Sequence, residues 1–181
     1  MRIFVLTILT ALVALIPSAF ATTLFEFEDA QTINRWFSVD DSVMGGISAS
    51  QMSYAGEGIA QFAGDLSLEN NGGFASVRYT DKIYDLSNFE GVELRVKGND
   101  QTYQFRFQTD IARISYTQPF LAQSEWTTVR LPFEIFKATC FGRMVRDAPD
   151  MNTAFLRTLT FMLSDKQEGQ FELLIDWIKV Y

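Results

Sequence analysis

Histidine is absent from this chain, and cysteine occurs once, as Cys140. Without histidine there is no Ser-His or Cys-His nucleophile pair, and no zinc site of the usual histidine-containing kind. A lone cysteine forms no intramolecular disulfide even in an oxidising compartment, so Cys140 reads as a small buried apolar residue rather than a nucleophile. Positive charge is also scarce: 15 Lys and Arg stand against 22 Asp and Glu, a formal net charge of −7. A nucleic-acid partner wants a basic footprint on its phosphates, so none is expected. The sequence has no phosphate-binding loop, dinucleotide fingerprint, nucleophile elbow or Ser-x-x-Lys motif. The adjacent acids Asp40 and Asp41 diverge in an extended chain, whereas acid–base work by two carboxylates needs them to flank one bond. We therefore expect no enzyme and no cofactor.

The one long apolar run lies at the start. Arg2 precedes Ile3 to Ile16, Pro17 breaks the run, and Ala19-Phe20-Ala21 follows. This is the layout of a signal peptide over residues 1–21, and the run is short for a membrane span. No cysteine follows it to carry a lipid anchor. The expectation is an exported chain starting at Thr22, periplasmic or secreted, not integral to a membrane once cleaved. The segment holds one arginine and no acid, so its removal takes the charge from −7 to −8. What remains, residues 22–181, suits one domain with a single core.

That part is dominated by alternation. In "TYQFRFQT" Tyr103, Phe105 and Phe107 point one way and Gln104, Arg106 and Gln108 the other. "GVELRVKG" sets Val92, Leu94 and Val96 against Glu93, Arg95 and Lys97. "LFEFED", "GFASVRYT", "WTTVRLP", "LRTLTFML" and "FELLIDWIKVY" behave alike, with turn signals such as "ENNGG" and "DKQEG" between runs. Such alternation belongs to antiparallel sheets buried on one face. No long stretch has a helical period, although short helical turns are expected at 30–35, 132–137 and 150–155. The pattern predicts an all-β sandwich of two antiparallel sheets. Arg78, Arg95, Arg106 and Arg130 all alternate against apolar neighbours and are expected to collect on one face. Trp36, Trp126 and Trp177 lie within or beside apolar runs and are expected in the core.

Two loops stand apart: "WFSVDDSVMGGIS" and "LSLENNGGFASVR". Asp and Ser oxygens cap turns, and paired glycines allow positive φ or close backbone approach. A pair of turns explains much of this, but leaves unexplained Met44 between Val43 and two glycines. Methionine suits irregular gaps and protein contacts alike, so Met44 is expected either to plug the gap between the loops, the reading preferred here, or to stand exposed as a contact for a partner. The two loops are expected to lie together as one surface, with Asp41, Ser42, Asn70 and Asn71 bonding across the gap and Arg78 anchoring Asp41 or Glu69.

These two stretches, with "WTTVRLPFEIF" and the closing "GQFELLIDWIKVY", resemble the complex I intermediate-associated protein 30 family, in order from Leu24 to Tyr181. The resemblance implies a galactose-binding-like jelly roll, related to carbohydrate-binding modules, and a non-catalytic assembly factor or chaperone. It implies a binding role for Asp41, Ser42, Met44, Gly45, Gly46, Asn70, Asn71, Gly72, Gly73 and Arg78, and it also matches Ser48, Phe74, Gly142 and Arg143. Gly98-Asn99-Asp100 departs from the family's usual Gly-Asp-Gly turn, so a hairpin there is expected to differ. The expected partner is a protein, in a membrane or envelope complex; the alternative is a carbohydrate on a sheet face bearing Gln104, Arg106 and Gln108. Related jelly rolls tie the first and last strands with calcium, for which Glu26 or Glu28 and Asp176 are weak candidates against a plain reading as solvated acids.

Overall fold

The computed structural model describes residues 21–181, so the expected signal segment lies outside the described residues except for its last position. Thirteen strands follow in chain order: β1 (Thr22–Glu26), β2 (Trp36–Ser38), β3 (Ala49–Gly56), β4 (Ile59–Leu66), β5 (Ala75–Tyr79), β6 (Gly91–Lys97), β7 (Gln101–Gln108), β8 (Ser115–Ala122), β9 (Thr127–Pro132), β10 (Lys137–Cys140), β11 (Arg143–Met144), β12 (Thr158–Leu163) and β13 (Gly169–Val180). They form two antiparallel sheets. One runs β3-β4-β13-β6-β9, with β1 also paired to β13; the other runs β11-β10-β8-β7-β12-β5-β2. The sandwich expected from the alternation is what the chain builds.

The inward positions are those the period-two reading assigned. Tyr103, Phe105 and Phe107 of β7 are fully buried in one core with Phe62, Leu94, Leu173 and Ile175 of the other sheet's strands. The aromatic rings pack edge-on or tilted, as in Phe62–Phe171 and Phe105–Phe161, each with 5.0 Å between centroids, the geometry that ring quadrupoles favour. Every residue of β12 is buried, the outward Thr158, Thr160 and Met162 included. This strand lies between β7 and β5, and Arg106 of β7 reaches across it to the Met162 sulfur.

3₁₀ turns form at Thr32–Arg35 and Phe133–Ile135, and the expected turn before β12 forms at Thr153–Ala154, closed by the Phe155 amide donating to the Asn152 carbonyl at 3.1 Å. Several expectations need correction. Gly98–Asp100 is not a hairpin: β6 and β7 belong to different sheets, and this turn carries the chain between them. There Gly98 is pressed so closely that a Cβ would lie 2.6 Å from the Cβ of Ala122. Trp36 is in the core, but Trp126 and Trp177 are half-exposed at the six-stranded sheet, under Arg95 and Lys179 respectively. An indole beside a cation at the rim gains a cation–π contact that a core position lacks. Cys140, on the short strand β10 near the sheet edge, is free and half-buried rather than buried.

The four arginines do not share a face. Arg78 and Arg106 project from the seven-stranded sheet, Arg95 and Arg130 from the six-stranded one. Alternation fixes the side of a strand but not the sheet to which the strand belongs. Arg130 pairs with Glu93 at 3.0 Å and stacks on Tyr181.

Candidate functional site

The two glycine-bearing loops meet at one end of the sandwich, and a single carboxylate joins them. Residues Asp41–Met44 form a 3₁₀ turn that ends at Gly45 with φ +94°, a left-handed value glycine adopts without strain. The Asp41 carboxylate, fully buried, points back into the space between the loops. It accepts the Ser48 amide at 2.9 Å and the Ser48 hydroxyl at 2.6 Å from its own loop. From the second loop it accepts the Gly73 amide at 2.6 Å and the Phe74 amide at 3.2 Å. Ser48 Oγ in turn accepts the Ser67 amide at 2.9 Å. Burial alone would raise the Asp41 carboxyl's pKa; the Ser48 hydroxyl and the amides of Gly73, Phe74 and Ser48 outweigh it and hold the group below the usual carboxylate range.

Asp40 turns the other way. Its carboxylate accepts the Ser50 amide and hydroxyl and the Ser76 amide, at 2.6–2.9 Å, so it pins β3 to β5. The divergence expected of adjacent acids is realised, and each serves as a structural anchor.

The glycine pairs now have separate reasons. Gly45 and Gly73 take positive φ, 94° and 121°. Gly46 is glycine because the Asp41 carboxylate occupies the space a side chain would need, and a Cβ there would collide with Oδ1; at Gly72 a Cβ would lie 2.7 Å from Asp41 Oδ2 and 2.9 Å from the carbonyl oxygens of Ser67 and Glu69. This signal was present in the sequence as two Gly-Gly pairs, but the group they enclose could not be read from spacing.

Among the residues expected to bind, Asp41 and Gly46 are buried, while Ser42, Met44, Gly45, Asn70 and Asn71 are exposed and Gly72 and Gly73 lie between. Met44 is not a plug: it is 63 % exposed, and Asp41 already fills the gap. Asn70 and Asn71 make no side-chain hydrogen bond across the loops; they are in the second loop with φ 55° and 60°, a left-handed region asparagine tolerates better than most residues. Arg78 anchors neither Asp41 nor Glu69; no carboxylate lies within 4.0 Å of it among the described residues.

Sequence reasoning missed what the locked loops display. Val43, Met44, Ile47 and Leu68 are all large, apolar and exposed. They belong together because Val43 and Met44 ride on the Asp41 turn, while Ile47 and Leu68 flank the Ser48–Ser67 bridge. Their alternation is irregular, so no period announced them. Of the calcium candidates, Glu26 lies in β1 directly opposite Trp177 of β13, next in sequence to Asp176. Among the described residues no group of three or more Asp, Glu, Cys or His side chains gathers there or elsewhere.

Arg78 and Arg106 stand apart from the loops, on the outward face of the seven-stranded sheet. Each pairs in register with Thr160 of β12, which lies between them. Burial lowers the pKa of Arg78. Burial, and then the charge of Arg78, bring Arg106 down to about 10.

Comparison with known proteins settles the lineage. The model of the family described as complex I intermediate-associated protein 30 matches residues 25–175. The chain belongs to that family. It is 28% identical over 165 residues to an uncharacterized protein of Schizosaccharomyces pombe, covering 78% of this chain and 75% of that one. The mouse mitochondrial complex I intermediate-associated protein 30 is 26% identical over 185 residues, covering 89% of this chain and 56% of the mouse protein. A probable Caenorhabditis elegans counterpart is 22% identical over 180 residues. This chain thus spans about half the length of the curated relatives that carry that name. In structure it resembles the family 11 carbohydrate-binding module of a Clostridium thermocellum cellulosomal cellulase, with TM-score 0.70, 16% identity, and coverage of 90% and 95% of the two chains. A family 30 module from the same organism matches with TM-score 0.57 at 12% identity, covering 90% of this chain and 97% of that one. At such identities the likeness shows the sandwich fold alone.

Proposed function

We propose that this chain is a non-catalytic protein-binding module that helps assemble a multisubunit complex. The observation that carries the proposal is the loop pair: a buried carboxylate fixes two loops so that Val43, Met44, Ile47 and Leu68 face solvent at one end of the sandwich. Ordering flexible apolar side chains on a rigid base lowers the entropic cost of binding a partner. The complex I intermediate-associated relatives support the assembly role, and the lack of histidine together with the full engagement of Asp40 and Asp41 in structural bonds supports a role without catalysis. The amino-terminal pattern supports export after cleavage behind Ala21, which would make the complex one of the cell envelope; mass spectrometry of the native protein is expected to find Thr22 first, and a full-length cytoplasmic species would refute this.

The test is a photo-crosslinker placed at Met44 in vivo, with exposed Lys166 as control. Specific protein adducts are expected at Met44 and not at Lys166; identical adduct patterns at both would overturn the reading. Carbohydrate binding is the second reading, favoured by the sandwich fold and by Gln104, Arg106 and Gln108 sharing one sheet face. Against it, Tyr79, Tyr103 and Tyr116 of that sheet all turn inward, leaving no exposed tyrosine or tryptophan there for ring stacking.

A further inference from the structure

The acids of this protein are distributed unevenly between its sheets. Glu26, Asp65, Glu93, Glu172 and Asp176 lie in strands of the six-stranded sheet. The seven strands of the other sheet contain no Asp or Glu at all, while they carry Arg78, Arg106, Lys137 and Arg143. In a chain with 22 acids and net charge −7, the strands of one sheet hold none of them.

Register sharpens the point. Pairing aligns Phe37, Arg78, Thr160, Arg106, Thr117 and Lys137 in one row across the sheet. Arg78 and Arg106 are two strands apart, about 10 Å between backbones, close enough for two long side chains to converge over buried Thr160. Both are half-buried and neither has a carboxylate within ion-pair distance among the described residues. Among the described residues Arg106 donates only to the Met162 sulfur and, at 3.4 Å, to Thr139 Oγ1, weak acceptors for a guanidinium. Two cations that desolvate one another's surroundings and lack a counter-charge oppose folding unless something else uses them. Guanidinium groups are suited to planar, bidentate capture of carboxylates.

We infer that the outward face of the seven-stranded sheet is a docking surface for an acidic polypeptide segment, a carboxylate of which sits between Arg78 and Arg106. Charge complementarity names the occupant. The exposed Phe37, beside Arg78 at the sheet edge, offers a side chain of the same segment an apolar contact. A polypeptide fits better than an acidic sugar because the face lacks an outward tyrosine or tryptophan. This inference rests on the protein-binding reading above, but it uses a different surface from the loop patch.

The probe is an acetylated, amidated oligoglutamate titrated into the whole protein at low ionic strength, with oligoglutamine, oligogalacturonate and inorganic phosphate as comparisons. Arg78→Gln and Arg106→Gln are each expected to weaken oligoglutamate binding roughly tenfold or more. Arg106→Lys should fall between, because lysine keeps the charge but not the bidentate fork. Arg95→Gln on the other sheet and Met44→Ser on the loops should change nothing. Melting curves accompany each variant; should Arg106→Gln fail to fold, Arg78→Gln and Arg106→Lys still decide. No binding of oligoglutamate, or equal weakening by Arg95→Gln, overturns the site. Arginine-dependent binding of oligogalacturonate or phosphate without oligoglutamate overturns the polypeptide assignment. Loss of the oligoglutamate interaction with Met44 crosslinks intact would refute this surface alone; the reverse result would refute the loop reading alone.

Discussion

Removing the Asp41 carboxylate tests whether it is what holds the two loops together. Asp41→Ala strips the acceptor from three backbone amides and one hydroxyl in a site closed to solvent. Hydrogen bonds to a charged group contribute about 1.5–3 kcal/mol each, and donors left buried and unpaired cost about 1–3 kcal/mol each. These terms do not add, because the loops relax and admit water, so the expected loss is roughly 3–5 kcal/mol. For a domain of this size that is a fall of roughly 6–20 °C in melting temperature. A second substitution isolates the cause. Gly46→Ala alone places a Cβ against Asp41, whose side-chain atoms are the three nearest to it. Once the carboxylate is gone, much of that clash goes with it. The double variant should therefore be less destabilised than the sum of the singles, by about 1–2 kcal/mol, within the usual coupling range. Urea unfolding followed by tryptophan fluorescence measures all four species. Additivity within about 0.5 kcal/mol would show that Gly46 is not there to make room for Asp41 and would refute the account of the loop junction.

The same carboxylate sets an acid limit. Its pKa is lowered in the folded state, so its contribution is present in full above the unfolded value of about 3.9 and is lost as pH falls through the folded value. Unfolding curves of the native protein and Asp41→Asn should accordingly converge below about pH 4, and a constant gap down to the folded pKa would contradict the assignment. Gly98→Ala is expected to cost about 1–3 kcal/mol by forcing the inter-sheet turn off Ala122, and Ala122→Gly should return part of it in chemical denaturation. Phe105→Ala, which empties a fully buried ring site, should cost about 3–5 kcal/mol by the same measurement. Val43→Ser with Met44→Ser should change stability by less than about 0.5 kcal/mol per site while reducing crosslinked adducts, since both side chains face solvent.

The sheets were legible wherever one face is buried and the other wet. β7 displays its inward aromatics and outward glutamines as plainly in sequence as in space. Short strands were not: β2, β10 and β11 are two to four residues long, too few for a period to register. Nor were β4 and β8, eight residues each, because glycine and alanine in the one and the buried start and Pro119 of the other blur the alternation. Sheet membership was illegible too, which is why Arg95 and Arg130 were grouped with Arg78 and Arg106. Nothing local to "KGND" distinguishes a hairpin from a turn between sheets; that depends on β9 and β13 claiming the edges of β6. At the loops the meeting of the two segments was readable from their glycine pairs, and so was Asp41 as a group bonding across the gap, but Ser42, Asn70 and Asn71, assigned the same role, face water. Asn70 and Asn71 have the right chemistry to bridge, yet their left-handed backbone turns them outward, whereas Asp41 is aimed inward by its 3₁₀ turn.

That difference bears on what the family signature means physically. Six of the residues that carry it, Asp41, Gly45, Gly46, Ser48, Gly72 and Gly73, form one self-satisfied knot of charge, amides and steric vacancies. Its removal would cost stability whatever the protein binds. On the reading proposed here a partner meets instead the side chains held out by the knot, Val43, Met44, Ile47 and Leu68, and the sheet face around Arg78 and Arg106, none of which the knot requires. Two chains can therefore share the knot and the sandwich while presenting different surfaces at both places. A likeness confined to the signature carries the fold and the rigid mounting from one chain to another, and partner identity must be read from the exposed residues of each chain in turn.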